Sequence, residues 1–231
     1  MSEAGSNPVV PSPHWIADTD PLNFSTVKLE TYFNDTKLGD ATGFFVYLHH
    51  NGTPTHRLVT NWHVLTGRNA ENPETVLHRQ GAIPNRLRMS LTLRPGQPEY
   101  EGHPNKQLMQ EVFIGLFNAQ EEAEWAQHVE KNRFDVAVVS PPAASIARYY
   151  IVGVNEVPQQ NDMSIEIGNE VFVLGFPLGF THLTTMPIWK RGSIATDPNL
   201  ETPETGPKVV IDATTRGGMS GAPVIMRTKT H

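Results

Sequence analysis

From Phe24 onward apolar and polar positions alternate with a period of two: Val27, Leu29, Thr31 and Phe33 against Thr26, Lys28, Glu30 and Tyr32. That alternation predicts a half-buried strand. Strands are also expected over 42–48 and 57–60, joined by a hairpin turn at Asn51-Gly52. Leu87, Met89, Leu91 and Leu93 alternate cleanly with Arg88, Ser90 and Thr92, and Pro95-Gly96 ends that strand. Shorter strands are predicted over 112–117, 134–139, 151–152, 170–174, 184–195, 208–212 and 224–226, the second of them stopped by Pro141-Pro142. One segment has a different period. Across 119–131 the residues Ala119, Ala123, Ala126 and Val129 fall three or four apart, with acidic residues first and Lys131 near the end, which predicts a helix inserted between strands. Residues 69–84 and 97–106 read as loops, and residues 1–23, rich in Pro, Ser, Asn and Asp, as a flexible leader. Strand following strand with little helix between favours an antiparallel barrel or sandwich over βαβ units.

Composition narrows the picture further. The chain has 231 residues, enough for one sizeable domain or a double-barrel unit, and its 18 Gly and 19 Pro suit many short strands and turns. A formal charge of -6 gives no electrostatic case for a nucleic-acid or anionic-membrane partner. The absence of cysteine excludes a disulfide framework, a thiolate nucleophile and a cysteine-ligated metal. No run approaches the roughly 20 apolar residues of a membrane span, and the first residues have neither a basic nor an apolar signal region, so a cytoplasmic location is expected. Five histidines crowd 49–78 (His49, His50, His56, His63 and His78), but without metal-binding spacing; no metal and no cofactor is expected.

Three residues stand in settings that suit one chemistry. His63 follows a strand in Thr60-Asn61-Trp62-His63-Val64-Leu65, Asp135 opens the apolar run Asp135-Val136-Ala137-Val138-Val139, and Ser220 lies in the loop Gly217-Gly218-Met219-Ser220-Gly221-Ala222-Pro223. A serine hydroxyl is a weak nucleophile until a base takes its proton, and that base needs a partner that fixes its tautomer. Glycines around the serine let backbone N–H groups come close to a reacting carbonyl.

In the order His, Asp, Ser, the motifs TNWHVL, FDVAVV and GGMSGAPV resemble those of the trypsin-like serine peptidases, nearest to the bacterial, disulfide-free branch with HtrA-like and glutamyl-endopeptidase-like enzymes. The segments ATGFFV, VLGFPLGF, KRGSIA and VVIDATT fit as well, so the resemblance spans about residues 24–226. It implies an all-β, chymotrypsin-like double β-barrel with its first barrel at about 24–140 and its second at about 141–231, the active site lying between them. It implies a serine endopeptidase acting on polypeptides through His63, Asp135 and Ser220, with an oxyanion hole made by the N–H groups of Gly218 and Ser220. Thr214 and Arg216 fall where the family lines its specificity pocket; a threonine there offers no charge to select a basic side chain. The resemblance also places Met219 where many animal enzymes of that family carry an aspartate, so ion-pair activation by a freed N-terminus is not expected. Only 11 residues follow Ser220, fewer than the pocket-walling strands of the family require, so a second barrel incomplete at its C-terminal end is expected. The competing reading is a catalytically silent module of the same fold that binds peptides or proteins. An esterase is disfavoured, since its usual chain order is Ser, acid, His.

Overall fold

All described strand pairs are antiparallel, and they form two sheets. A computed structural model describes residues 16, 18–50, 52–101, 107–130, 134–159, 163–179, 186–200 and 208–227. The first sheet contains β1 (Thr26–Phe33), β2 (Thr36–His50), β3 (Thr53–Thr60), β4 (Arg86–Thr92), β5 (Met109–Gly115), β6 (Trp125–Gln127) and β7 (Ala137–Val139), in the order β5-β4-β1-β2-β3-β7-β6. The second contains β8 (Glu170–Gly175), β9 (Ile188–Ile194), β10 (Ile211–Asp212) and β11 (Val224–Met226), in the order β10-β9-β8-β11. Two short helices, α1 (Trp62–Thr66) and α2 (Ala143–Ile146), follow β3 and β7. The fold is all-β, built as two antiparallel sheets.

The 15-residue β2 is the spine of the first sheet: residues 36–44 pair with β1 and 44–50 with β3. Its hairpin to β3 includes Gly52 at φ 75°, while Asn51 lies outside the described residues. Alternate residues of β1 and β4 reach the core, where Leu29, Leu87 and Met89 meet Phe45, Leu58 and Leu65, all with no exposed surface. Complete burial of side chains this size contributes about 1.5–3 kcal/mol each.

The opposite face of β1 is not solvated either. Glu30, only 3% exposed, is ringed by Lys28, Lys37 and Arg88. Burial alone would raise its carboxyl pKa; hydrogen bonds and charge from these three cations reverse the effect and bring it from 4.5 down to about 2.

The helix expected over 119–131 is not formed. Glu121 has φ 60°, a left-handed conformation that no α-helix contains, and the Asn118 side chain accepts from the N–H groups of Gln120 and Glu122 to close a turn there. Trp125–Gln127 then runs as a strand against β7. The apolar stripe that suggested a helix was mostly alanine, and its one branched member, Val129, is 93% exposed. Against that small gain, β6 satisfies the backbone edge of β7 and lets Trp125 pack edge-on against Phe117. Lys131 lies outside the described residues.

Three smaller differences concern ends of elements. Residues 151–152 join no strand, although Val154 N–H donates to Phe45 O. The strand expected over 208–212 shortens to Ile211–Asp212, leaving Val209 and Val210 about half exposed. Ahead of β1, Pro21–Phe24 forms a 3₁₀ turn that buries Leu22 and Phe24, and Asp20 caps it. The same region meets the second sheet, since Trp189 Nε1–H donates to Asn23 Oδ1 (2.7 Å) and Arg227 pairs with Asp20. Residues 1–15 and 17 lie outside the described set.

Candidate active site

Strand register brings the first two candidates together. In the antiparallel pair of β3 and β7, Thr60 lies opposite Ala137, so the chain leaving β3 and the chain entering β7 share one end of the sheet. His63 comes three residues after Thr60, in α1, and Asp135 two before Ala137. Asp135 therefore does not open the strand; it lies in the approach to it, where the backbone is free to aim the carboxylate at α1.

That carboxylate is held at both oxygens. His63 Nδ1–H donates to Asp135 Oδ2 (2.6 Å), and the His63 backbone N–H donates to Oδ1 (2.9 Å). The backbone donor belongs to the first turn of α1, where amides have no intrahelical acceptor, so the carboxylate satisfies a group the helix leaves open. The N-cap residue Asn61 adds a third tie, its Nδ2–H donating to Asp135 O (2.6 Å). The imidazole thus has its proton on Nδ1 and its Nε2 free to accept another. Behind it, the indole N–H of Trp62 donates to Gln127 Oε1 on β6 (2.7 Å), which braces α1 against the strand that replaced the expected helix. Sequence reading missed Asn61, Trp62 and Gln127; only Asn61, an N-cap type directly before the helix, carried a local signal.

Ser220 comes from the loop between β10 and β11. Ser220 and His63 line one cavity of about 530 Å³, walled by β2 at Leu38–Ala41 and by the loop at Leu77–Gln80. Among the described residues no hydrogen bond joins the Ser220 hydroxyl to His63. Two glycines give the loop its path. Gly218 (φ 91°) packs so closely on Phe176 O that a Cβ would overlap it, and Gly221 (φ 84°) lies equally close to Thr42 O and Thr60 Oγ1. Met219 is buried between the sheets, with its thioether against Gly175.

The directions of the loop amides follow from their carbonyls, because C=O and the next N–H point opposite ways across a trans peptide. Leu178 N–H donates to Gly217 O (2.5 Å), which turns the Gly218 N–H the other way. Ala222 N–H donates to Met219 O (2.9 Å), which fixes the Ser220 N–H in the same manner. Among the described residues neither the Gly218 nor the Ser220 N–H has an acceptor. Thr214 and Arg216 are exposed and do not line the cavity with His63 and Ser220.

A profile of the trypsin-like peptidase domain matches residues 41–230. The chain belongs to the trypsin-like peptidase family. Curated protein sequences give no match. Similar solved structures include the serine endoprotease from Yersinia pestis (12% identity, TM-score 0.48), aligned over 89% of this chain and 51% of that one. Another is an inactive serine-to-alanine form of Rv3671c from M. tuberculosis H37Rv (18% identity, TM-score 0.41), aligned over 96% and 78%. This trypsin-like domain thus spans about half the length of the Yersinia structure. Among its described residues no three His, Asp or Glu side chains are grouped to hold a metal ion, and no helix is long and apolar enough to cross a membrane.

Proposed function

We propose that the chain is a serine endopeptidase in which Ser220 is the nucleophile, His63 the general base and acid, and Asp135 the group that orients and stabilises the imidazole. The observation that carries this reading is the two-point hold of Asp135 on His63, next to a cavity that Ser220 shares. Ser220 Oγ attacks the scissile carbonyl carbon while its proton passes to His63 Nε2. The carbonyl oxygen becomes an oxyanion and accepts from the unengaged N–H groups of Gly218 and Ser220; each such donor contributes about 2.7–4 kcal/mol in comparable sites. Collapse of the tetrahedral species breaks the C–N bond, and the leaving amine takes the proton from Nε2. Water then gives a proton to Nε2, attacks the acyl ester and restores the Ser220 hydroxyl. First-sheet residues wall the cavity on the His63 side, which suits the leaving half of the substrate.

The test is hydrolysis of casein together with labelling by a fluorophosphonate, for the wild type and Ser220→Ala. Turnover and labelling by the wild type, both lost in a variant with the same unfolding midpoint, support the reading. A folded wild type that binds polypeptides without hydrolysis or labelling would make the chain the silent binding module instead.

A further inference from the structure

The peptides around Ser220 are held in sequence, and one of the holds differs in kind from the rest. Gly217 O accepts from Leu178 N, Met219 O from Ala222 N, and Ser220 O from Thr42 N (2.8 Å). All three are backbone bonds, which any residue at the donor position other than proline would make. The Gly218 carbonyl is held by a side chain: Thr42 Oγ1–H donates to it at 2.7 Å. Thr42 has no exposed surface, and its hydroxyl is used twice, since Phe176 N–H donates to Oγ1 at 3.1 Å. Phe176 leads into the turn whose Leu178 amide holds Gly217 O. The Thr42 carbonyl is fixed in turn by the Thr60 hydroxyl, which donates to Thr42 O at 2.8 Å.

From this arrangement we infer that the Thr42 hydroxyl is a positioning residue for catalysis, fixing the nucleophile loop so that the Gly218 and Ser220 amides face a substrate carbonyl. The inference rests on the serine-peptidase reading above. Thr42 touches no reacting atom. It acts by clamping the 218–219 peptide between two amides whose directions matter and by tying that clamp to the Phe176 turn. Without the hydroxyl, the Gly218 carbonyl and the Phe176 amide are both buried without partners, and the least costly relief is rotation of the 218–219 peptide. Rotation there changes φ at Met219 and ψ at Gly218, the torsions between the two candidate oxyanion donors. The His63–Asp135 pair comes from other elements, and the β2 wall of the cavity, next to Thr42, keeps its backbone register with β1, so the loss falls on the transition state.

The experiment compares the wild-type chain with Thr42→Val and Thr42→Ser, using saturation kinetics of fluorophosphonate labelling across pH. Valine keeps the shape and removes the hydroxyl. For it, the limiting labelling rate should fall on the order of 10²-fold, with half-saturation and the pH midpoint unchanged. Serine restores the hydroxyl and should recover the rate to within about threefold of wild type. Where valine prevents folding, Thr42→Ala, which relieves any methyl crowding at the Phe176 amide, takes its place. A folded valine or alanine variant that labels within about threefold of wild type overturns the inference and leaves the serine-peptidase reading standing. So does a serine variant as slow as valine, since packing and not the hydroxyl would then be responsible. A folded wild type that does not label at all removes both.

Discussion

Replacing Asp135 with asparagine tests the His63–Asp135 geometry with the smallest possible change of shape. The amide has two ways to sit. With its oxygen on the His63 backbone N–H, the 2.9 Å bond survives and Nδ2–H donates to His63 Nδ1. The reverse orientation sets donor against donor at the backbone amide, leaving an unmade hydrogen bond worth about 1–3 kcal/mol, so the first is preferred. An imidazole that accepts at Nδ1 must carry its proton on Nε2, and a protonated Nε2 cannot take the Ser220 proton. Loss of the correct tautomer lowers turnover by about 10⁴-fold where the same geometry has been tested elsewhere, equivalent to roughly 5.5 kcal/mol of transition-state stabilisation. Stability should change far less, since one charge-assisted bond of about 1.5–3 kcal/mol is exchanged for a neutral one. The assay is the second-order rate of fluorophosphonate labelling and of casein hydrolysis, beside urea unfolding. Residual slow labelling is expected, unlike the complete loss in Ser220→Ala, because the nucleophile and its amides remain. A folded Asp135→Asn protein that labels within tenfold of wild type would refute the tautomer argument, and with it the role given to Asp135.

Two further outcomes concern the frame around the site. Gly221→Ala places a methyl into Thr42 O and Thr60 Oγ1 at a φ of 84°, and should cost about 2–4 kcal/mol in urea unfolding; a loss under 1 kcal/mol would mean that the loop can retreat from β2. Glu30 contributes through its lowered pKa, so its share of stability is complete above about pH 4.5 and is lost as pH falls toward 2. At about 1.4 kcal/mol per pKa unit that share is roughly 3 kcal/mol. The stability difference between wild type and Glu30→Gln should therefore shrink between pH 6 and pH 2.5, and a constant difference would count against the ion cluster.

How much was legible in the sequence depended on how local the cause was. Alternation along β1 and β4 was plain because both strands have a core-facing row of large side chains. The pairing of His63 with Asp135 was legible because each sits just beyond the end of a strand with a strong apolar pattern. Over 119–131 the local pattern pointed the wrong way. Alanine spacing is a weak helix signal, and the competing demand, an edge of β7 wanting a partner, is invisible from that stretch alone. Thr42 lay inside a segment already read as strand, and its hydroxyl has a partner 176 residues away, so nothing near it marked it as different from any other buried threonine.

The division of labour between the sheets explains why these residues matter in different ways. His63 and Asp135 leave adjacent strands of one sheet, so their mutual geometry is set by the β3–β7 register and by Asn61, and needs nothing from the second sheet. Ser220 leaves the second sheet, and reaches the pair only if that sheet is docked against β2. The docking contacts converge on one point: Thr42 N–H on Ser220 O, Thr42 Oγ1 on Gly218 O, Phe176 N–H on Thr42 Oγ1, with Thr60 fixing Thr42 from behind. The buried Met219 side chain anchors the same loop without charge. Hydrogen bonds to β2 tie the loop to the strand one hydrogen-bonded neighbour away from the one that leads to His63. The loop's alignment is then a property of sheet docking itself, and its loss should displace the Ser220 hydroxyl and the Gly218 and Ser220 amides together while leaving His63 and Asp135 paired.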